Sequence, residues 1–443
     1  MRLFCIMLLS VTMILTGCTK KTELLFPGTA DERISESLTA YQDKLSGAPG
    51  WKLFVYPSGL LSQGIEVGGL TYYLKFTSDN RVTMIGDFNQ SMADTAKESS
   101  YRLKALQKPS LIFDTYSYIH VAADPDAAIS ESPSGMNGFG WGTDFDFGFT
   151  SATPADTLFL EGNFNHSMAL MIPLSQEEAD AAFSGQLGHI VAITKKFNDE
   201  NSFLYFPATD GHKIGVAFNL TLFILNFNHL DENGNLVTVS VPFSRTTTGI
   251  HFKNAVTVGG YTFQDLLWDE AQKAYYIESG GSRVNITDAG TPVIPFDKLL
   301  GSAINTIVVP PDSLPGQSTS FRTAFADAQT SLQNGPYGLT IEELDYTFDA
   351  ASKTMIYDVL VSQSSGLYLA RFNYTYEANT QGNIKFTRTS ANGNAQLIVE
   401  DLGALLQHID NDRFHMDYYN TPDSKLAQFK SVTDPGYFFT GNY

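Results

Sequence analysis

The chain has 443 residues, of which 28 are Lys or Arg and 47 are Asp or Glu, so its formal net charge is −19. This acidic excess argues against nucleic acid as a partner, because nucleic-acid binding depends on basic side chains that neutralise phosphates. The 32 Phe and 21 Tyr residues favour strands, and the length is sufficient for two domains.

The first 17 residues have the pattern of a signal peptide. Arg2 supplies the positive charge, and the apolar run after it is shorter than the roughly 20 residues of a transmembrane helix. The run ends in Leu15-Thr16-Gly17-Cys18, which resembles the lipobox of bacterial lipoproteins. We therefore expect cleavage before Cys18 and lipidation of its thiol, with residues 18–30 as a tether to the membrane.

The cysteine count limits the chemistry of the mature chain. Cys5 is the only other cysteine, and it lies in the segment that cleavage removes. The mature protein can then form neither a disulfide nor a thiolate metal site. No histidine spacing typical of zinc enzymes occurs, so the sequence predicts no metal and no cofactor.

Residues 31–195 are predicted to form a helix followed by a β-barrel-like domain. The helix is expected over 31–47, because Ile34, Leu38, Tyr41 and Leu45 form one apolar stripe. A hairpin is expected from 72–76 and 81–84, followed by strands at 100–106, 111–121, 144–149, 157–161 and 168–172. Ser175 with Glu178 has the spacing of a capping box and predicts a short helix toward Phe183.

Residues 196–443 are predicted to form a second β-rich domain, with a proline-containing linker near 308–317. The apolar run 216–227 is expected to be one buried strand, and a helix is expected over 321–332. The predicted fold is therefore mainly β. It consists of two antiparallel domains, each a lipocalin-like barrel or a sandwich, with a few short helices.

A series of motifs occurs in a specific order between about Phe26 and Ile193. The motifs are Asp31-Glu32-Arg33, Gly50-Trp51, Tyr56-Pro57, Gly68-Gly69, Tyr73-Leu74-Lys75-Phe76, Ser100-Tyr101-Arg102-Leu103, Leu111 to Tyr116 with His120, Asp144 to Phe147, and Leu160-Glu161-Gly162. This order resembles the DUF4302 family of Bacteroidota lipoproteins, a family of unknown function. The chain departs from the family pattern at Asp146, where a Glu is expected.

The resemblance implies a setting rather than a reaction. It implies an envelope protein associated with outer-membrane nutrient uptake, with an outer-membrane transporter or surface lipoproteins as partners. It assigns no catalytic residue. The expected location is the outer membrane, on its periplasmic side or at the cell surface.

The first candidate site is the stretch from Phe113 to Val121. On a strand, Asp114, Tyr116, Tyr118 and His120 would share one face and could bind a sugar or a peptide. The alternative is a solvated or barrel-lining face on which these side chains bond to their neighbours.

The second candidate site is the pair Asp144 and Asp146, preceded by Trp141 in a glycine-rich turn. Two residues apart on a strand, the carboxylates would be separated by about 6.5–7 Å, near the spacing of about 6.5–9.5 Å in inverting glycosidases.

The main hypothesis is a lipid-anchored, non-catalytic binding or interaction component of a nutrient-uptake or surface system, with a glycan or peptide ligand. The alternatives are a surface enzyme that hydrolyses glycans or peptides with Asp144 and Asp146, and a purely structural subunit.

Overall fold

The computed structural model describes residues 28–60, 64–133, 135, 137–151, 153–364, 366–421 and 424–443. Their strands form three antiparallel sheets, namely a closed eight-stranded barrel, a nine-stranded sheet and a second closed eight-stranded barrel. The prediction of a mainly β fold is confirmed. The sequence did not distinguish a barrel from a sandwich, and the structure contains two closed barrels among its described residues. The signal peptide and Cys18 lie outside the described residues.

The first barrel follows the hairpin order of its strands. These are β1 (Trp51–Tyr56), β2 (Leu70–Phe76), β3 (Arg81–Gly86), β4 (Lys97–Ala105), β5 (Pro109–Phe113), β6 (Asp146–Phe149), β7 (Leu158–Gly162) and β8 (Met168–Pro173). The barrel closes because β1 pairs with both β2 and β8. The predicted hairpin is confirmed, since Phe76 of β2 lies opposite Val82 of β3.

The interior of the first barrel is filled by side chains. Trp51, Tyr72, Tyr101, Phe113 and Phe147 are all fully buried in one hydrophobic cluster. Eight strands enclose a space just wide enough for such side chains. A ligand would therefore meet this barrel at its loops rather than in its interior.

Helix α1 (Ala30–Gly47) confirms the helix predicted before the barrel. Thr29 caps its start, because its hydroxyl accepts from the Glu32 N–H while the Glu32 carboxylate accepts from the Thr29 N–H. Tyr41 and Leu45 bury the apolar side of the helix in the barrel core.

A π-helix covers Ala182–Gln186, and the remaining α-helices are mostly short. They are α2 (Gln90–Asp94), α3 (Tyr118–Val121), α4 (Ala127–Ser130), α5 (Gln176–Ala181), α6 (Leu187–Glu200), α7 (Phe296–Leu299), α8 (Thr319–Asn334), α9 (Gly393–Ile398) and α10 (Gly403–Asn411). The capping box predicted at Ser175 is present at the start of α5. Throughout the described ranges, no helix is both long and apolar enough to cross a membrane.

The predicted strand 111–121 is wrong beyond Phe113. Strand β5 ends there, and the chain turns into α3. The reason is local, because the Ser117 N–H donates to Nδ1 of His120 at 3.1 Å and this bond closes the first turn of the helix. The Tyr, Ile and Val residues of this stretch had favoured a strand by composition alone.

The nine-stranded sheet has the order β16-β15-β14-β13-β12-β11-β10-β9-β17. Its strands are β9 (Leu204–Pro207), β10 (Lys213–Asn219), β11 (Ile224–Leu230), β12 (Leu236–Thr246), β13 (Gly249–Val258), β14 (Tyr261–Asp269), β15 (Ala274–Ser279), β16 (Ser282–Asn285) and β17 (Thr287–Asp288). The predicted single strand 216–227 is therefore wrong, because β10 and β11 form a hairpin. The Asn219 side chain accepts the N–H groups of Thr221 and Leu222, which bends the chain.

The second barrel consists of β18 (Thr306–Val309), β19 (Thr340–Asp349), β20 (Thr354–Gln363), β21 (Gly366–Ala378), β22 (Ile384–Ala391), β23 (Arg413–Thr421), β24 (Ser424–Ser431) and β25 (Phe438–Asn442). Its interior is also packed. The ring of Tyr346 lies 4.7 Å from that of Tyr357 and 5.1 Å from that of Phe429, measured between centroids.

Candidate functional site

A groove of about 910 Å³ lies at the loops of the first barrel. Three separate parts of the chain form it, namely the loop after β1, the segment that leads into β6, and the turn between β7 and β8. The lining residues are 58–60, 123, 138–139, 142–146 and 163–165. All of them belong to the first barrel and its loops.

Three phenylalanines form an exposed aromatic rim around the groove. Phe139, Phe145 and Phe164 are 47%, 39% and 86% exposed, respectively. Isolated apolar residues at a surface are common, but three aromatic rings around one cavity are typical of a binding surface. Aromatic faces of this kind stack against the apolar faces of ligand rings.

The groove has its shape because Asp144 holds the turn between β7 and β8. Its buried carboxylate accepts the backbone N–H groups of Phe164, Asn165 and Ser167 at 2.9, 2.8 and 3.1 Å. Asn165 in turn donates from Nδ2 to the Thr143 carbonyl oxygen at 2.7 Å. Asp144 is therefore a structural anchor for the loop that carries Phe164.

Two glycines allow the loops to approach this closely. A Cβ at Gly162 would overlap the Asp144 carboxylate. Gly142 has a φ of 63°, and a Cβ at this position would lie 2.6 Å from the Gly59 Cα. The glycine-rich turn before β6 is thus a site of close backbone contact.

Asp146 is the second carboxylate that lines the groove. Its side chain is half-buried, and its Oδ1 atom is buried with no hydrogen-bond partner among the described residues. Burial, and then the nearby carboxylates of Asp114 and Asp144, raise the pKa of Asp146 above its ordinary value, despite the opposing charge of Lys104. A buried acceptor without a partner destabilises the fold, and such groups are found more often at functional sites than elsewhere.

The structure does not place the residues of the first candidate site on one face. Asp114 pairs with Arg102, and Tyr116 donates to Asp124 at 2.5 Å. Burial, followed by the Asp124 carboxylate, raises the pKa of the Tyr116 hydroxyl to about 12. Tyr118 is half-buried on the first turn of α3, with the Lys97 ammonium 5.6 Å from its ring centroid.

His120 supports the aromatic rim from behind. Nδ1 accepts the Ser117 N–H, and Nε2 lies 3.1 Å from the Phe113 carbonyl oxygen, so the proton of the neutral ring is on Nε2. Burial lowers the pKa of His120, with a smaller contribution in the same direction from Lys97. The imidazole stacks on Phe145 with a centroid distance of 4.5 Å and so positions that ring in the groove.

Trp141 lies away from the groove and joins the first barrel to the nine-stranded sheet. It is buried, and its indole N–H donates to the Ser130 carbonyl oxygen at 2.9 Å. Its ring lies 5.5 Å from Phe88 and 5.3 Å from Phe223 of the sheet.

Of the predicted site residues, Asp146 lines the groove, while Asp144 and His120 hold the loops and the rim of the groove in place. The other predicted residues make local contacts. Sequence reasoning missed the rim itself. The signal was an aromatic residue between Gly or Asn neighbours, as at Gly138-Phe139-Gly140 and Asn163-Phe164-Asn165, where no strand alternation could bury the ring. Among the residues that the structure describes, no three His, Cys, Asp or Glu side chains come together as a metal site would require.

A scan against known protein families matches residues 22–270, which is more than half of the chain, to the family described as Domain of unknown function (DUF4302). No curated protein matches the chain. The matched residues include the whole first barrel and every residue that lines the groove. The chain therefore belongs to the DUF4302 family, the family that the order of its motifs resembles.

Proposed function

We propose that the protein is a lipid-anchored, non-catalytic binding protein of the bacterial envelope and that it takes its ligand in the groove of the first barrel. The single observation that carries the binding proposal is the exposed rim of Phe139, Phe145 and Phe164 beside the incompletely bonded Asp146 carboxylate. Exposed aromatic faces and a half-buried carboxylate line one cavity, which is the combination that a small-molecule site requires.

The ligand that fits this chemistry best is a neutral glycan. The C–H face of a sugar ring stacks on phenylalanine, and its hydroxyls donate to a carboxylate such as that of Asp146. A peptide could use the same rings and donate its N–H groups, so it is the second ligand class to test.

A hydrolytic role for the pair Asp144 and Asp146 has less support. The Asp144 oxygens already accept three backbone N–H groups, so this residue would lose those bonds in order to act as a base. Release of product from a glycan or a peptide by the intact protein would favour the hydrolase alternative.

The proposal is tested by screening neutral oligosaccharides and peptides by isothermal titration against the chain from residue 18 onward, carrying Cys18→Ser so that no lipid is attached. Phe164→Ala and Phe145→Ala are expected to weaken binding of a hit at least about tenfold, a loss of roughly 1.4 kcal/mol. The matched control is Phe159→Ala, because Phe159 is 60% exposed on β7 but does not line the groove. Equal losses in the rim variants and in the control would contradict the proposal.

The anchor rests on the sequence Leu15-Thr16-Gly17-Cys18 and on the short apolar run before it. Mass spectrometry of the protein from its native host should find Cys18 as the N-terminal residue, carrying acyl chains. Cys18→Ala should release the protein from the membrane fraction, since two or more acyl chains are needed for stable attachment. An intact Met1, or an unmodified Cys18, would contradict the envelope setting.

The proposed partners are an outer-membrane transporter or other surface lipoproteins. They follow from the family resemblance and from the anchor, which would hold the folded chain at the same membrane. Cross-linking in the native host, with Cys18→Ala as the control that removes the membrane location, tests this part separately from ligand binding.

A further inference from the structure

A second cavity, of about 980 Å³, lies where the first barrel, the nine-stranded sheet and the second barrel meet. We call it the junction cleft. Each of the three sheets or its loops contributes to the lining, with Trp141 from the first barrel, Phe223 from the turn between β10 and β11, and Tyr418 from the second barrel. None of the residues that line the groove of the first barrel lines this cleft.

Four of the six asparagines that line the junction cleft share one hydrogen-bonding arrangement, in which a donor of the protein already occupies the side-chain oxygen. The other two, Asn198 and Asn201, donate from their side-chain nitrogens to the protein. The Oδ1 atoms of Asn226 and Asn228 accept the hydroxyls of Ser240 and Thr238, both at 2.7 Å. Those of Asn89 and Asn219 accept backbone N–H groups.

The side-chain nitrogens of these four asparagines donate to no other described residue. Because an amide offers one acceptor and one donor group, fixing each oxygen within the protein leaves the NH₂ group to meet a ligand. The four asparagines therefore present hydrogen-bond donors to the cleft.

Three basic side chains line the same cleft, namely Lys195, Arg245 and Lys425. Arg245 is only 5% exposed, and its Nε atom has no hydrogen-bond partner within the described part of the chain. Its guanidinium lies 4.3 Å from the centroid of the Phe223 ring. Lys425 donates from Nζ to the Asn198 carbonyl oxygen at 2.9 Å. Burial lowers the pKa of Lys425, and the nearby carboxylates of Asp199 and Asp288 oppose this shift.

The acidic groups of the lining offset these donors only in part. Asp199 pairs with Lys195 on the same helix, and Glu131 is exposed at the surface. Asp87, which does not line the cleft, accepts the backbone N–H of Arg245 and forms a buried ion pair with its guanidinium. Lys195 and Arg245 each have an acidic partner, whereas Lys425 forms no ion pair within the described part of the chain, so its ammonium is the cation left for a ligand.

We infer that the junction cleft is a binding site for a small organic molecule that carries a carboxylate group. The ammonium of Lys425 and the NH₂ groups of the four asparagines match the lone pairs of a carboxylate, and charge-assisted hydrogen bonds such as that of Lys425 are the strong ones. The rings of Trp141 and Phe223 provide apolar surface for the rest of the molecule. This site is separate from the groove of the first barrel, where Asp146 would repel the same ligand.

The inference is tested with matched pairs of probes that differ in the acid group alone. Methyl glucuronate glycoside in its free-acid form is compared with methyl glucoside, and triglycine is compared with its C-terminal amide. Binding is measured by isothermal titration at low ionic strength, because salt screens charge interactions. At least one acid is expected to bind at least about tenfold more tightly than its neutral partner, and which pair responds identifies a sugar acid or a peptide as the source.

Asn226→Asp is the informative variant. It keeps the oxygen that accepts from Ser240, so the fold should tolerate it, but it replaces the donor with a negative charge. We expect it to weaken binding of the acid at least about tenfold. Asn233→Asp, in the exposed turn between β11 and β12, makes the same charge change outside the lining and should leave binding unchanged.

Lys425→Gln provides a second variant that does not depend on the buried Arg245, and it should also weaken binding. Phe164→Ala, in the groove of the first barrel, should leave binding of the acid unchanged. The inference is overturned if acid and neutral probes bind equally, if neither acid binds, or if Asn226→Asp binds as tightly as Asn233→Asp.

Discussion

Asp87 and Arg245 form a buried ion pair that joins the first barrel to the nine-stranded sheet. The Asp87 Oδ2 atom accepts the backbone N–H of Arg245 at 2.7 Å and lies 3.9 Å from its Nε atom. The other oxygen accepts the Thr71 N–H at 2.7 Å, so one carboxylate connects β2 with β12. Burial raises the pKa of Asp87 to about 6, and burial lowers the pKa of Arg245.

Replacing Arg245 should destabilise the protein strongly. Arg245→Met leaves the Asp87 carboxylate buried without its cation, and the loss of one partner of a buried pair costs about 3–5 kcal/mol. Urea denaturation measures the free energy of unfolding. The double variant Asp87→Asn, Arg245→Met should recover part of the loss, because no buried charge then remains. A loss below about 1 kcal/mol in the single variant would show that the pair does not hold the two sheets together.

Gly162→Ala should destabilise the loop that carries the aromatic rim. The added Cβ would overlap the Asp144 carboxylate, and overpacking of this kind costs about 1–3 kcal/mol. The matched control is Gly393→Ala, because nothing lies within 4 Å of a Cβ at that position. Chemical denaturation of both variants checks the prediction, and equal stabilities would contradict the role of Asp144 as an anchor.

His120 should make the protein less stable in mild acid. Burial lowers its pKa in the folded chain below the ordinary 6.5, so the unfolded chain binds more protons as the pH falls through that value. The contribution of His120 to the free energy of unfolding should therefore decrease between pH 7 and pH 5. His120→Gln keeps a donor and an acceptor but does not titrate, so its unfolding free energy should depend less on pH across this range. Parallel pH profiles for the two proteins would mean that His120 is not buried in its neutral form.

Local signals were sufficient to predict much of the first barrel. The helix capped at Thr29, the hairpin of β2 and β3, and the capping box at Ser175 all depend on residues a few positions apart, and the structure contains each of them. Composition alone gave wrong secondary-structure predictions where a side chain forms a hydrogen bond with the backbone. Asn219 bends an apolar run into a hairpin, and His120 closes a helical turn in a segment rich in strand-forming residues.

The groove could not be predicted in the same way, because it assembles from distant parts of the chain. Gly59 and Gly142 are in contact although more than eighty positions separate them, and Asp144 bonds to Asn165 across two strands. Only the closure of the barrel brings these loops together. The sequence did identify Asp146, but for its spacing from Asp144 rather than for the unpaired oxygen that distinguishes it in the structure.

The free energy of unfolding and the ligand affinity of Asp146→Asn, measured together at pH 7, test the proposed binding groove most directly. The pKa of Asp146 is raised in the folded chain, so the ionised carboxylate lowers the free energy of unfolding at neutral pH. This loss disappears as the pH falls below the pKa of an ordinary carboxyl group, because the side chain is then protonated in both the folded and the unfolded chain. Asp146→Asn should therefore be more stable than the natural protein at pH 7, with a smaller difference at pH 4, and should bind the ligand at least about tenfold more weakly. A variant that is less stable at pH 7, or that binds the ligand unchanged, would contradict the assignment of Asp146 as a ligand-binding residue.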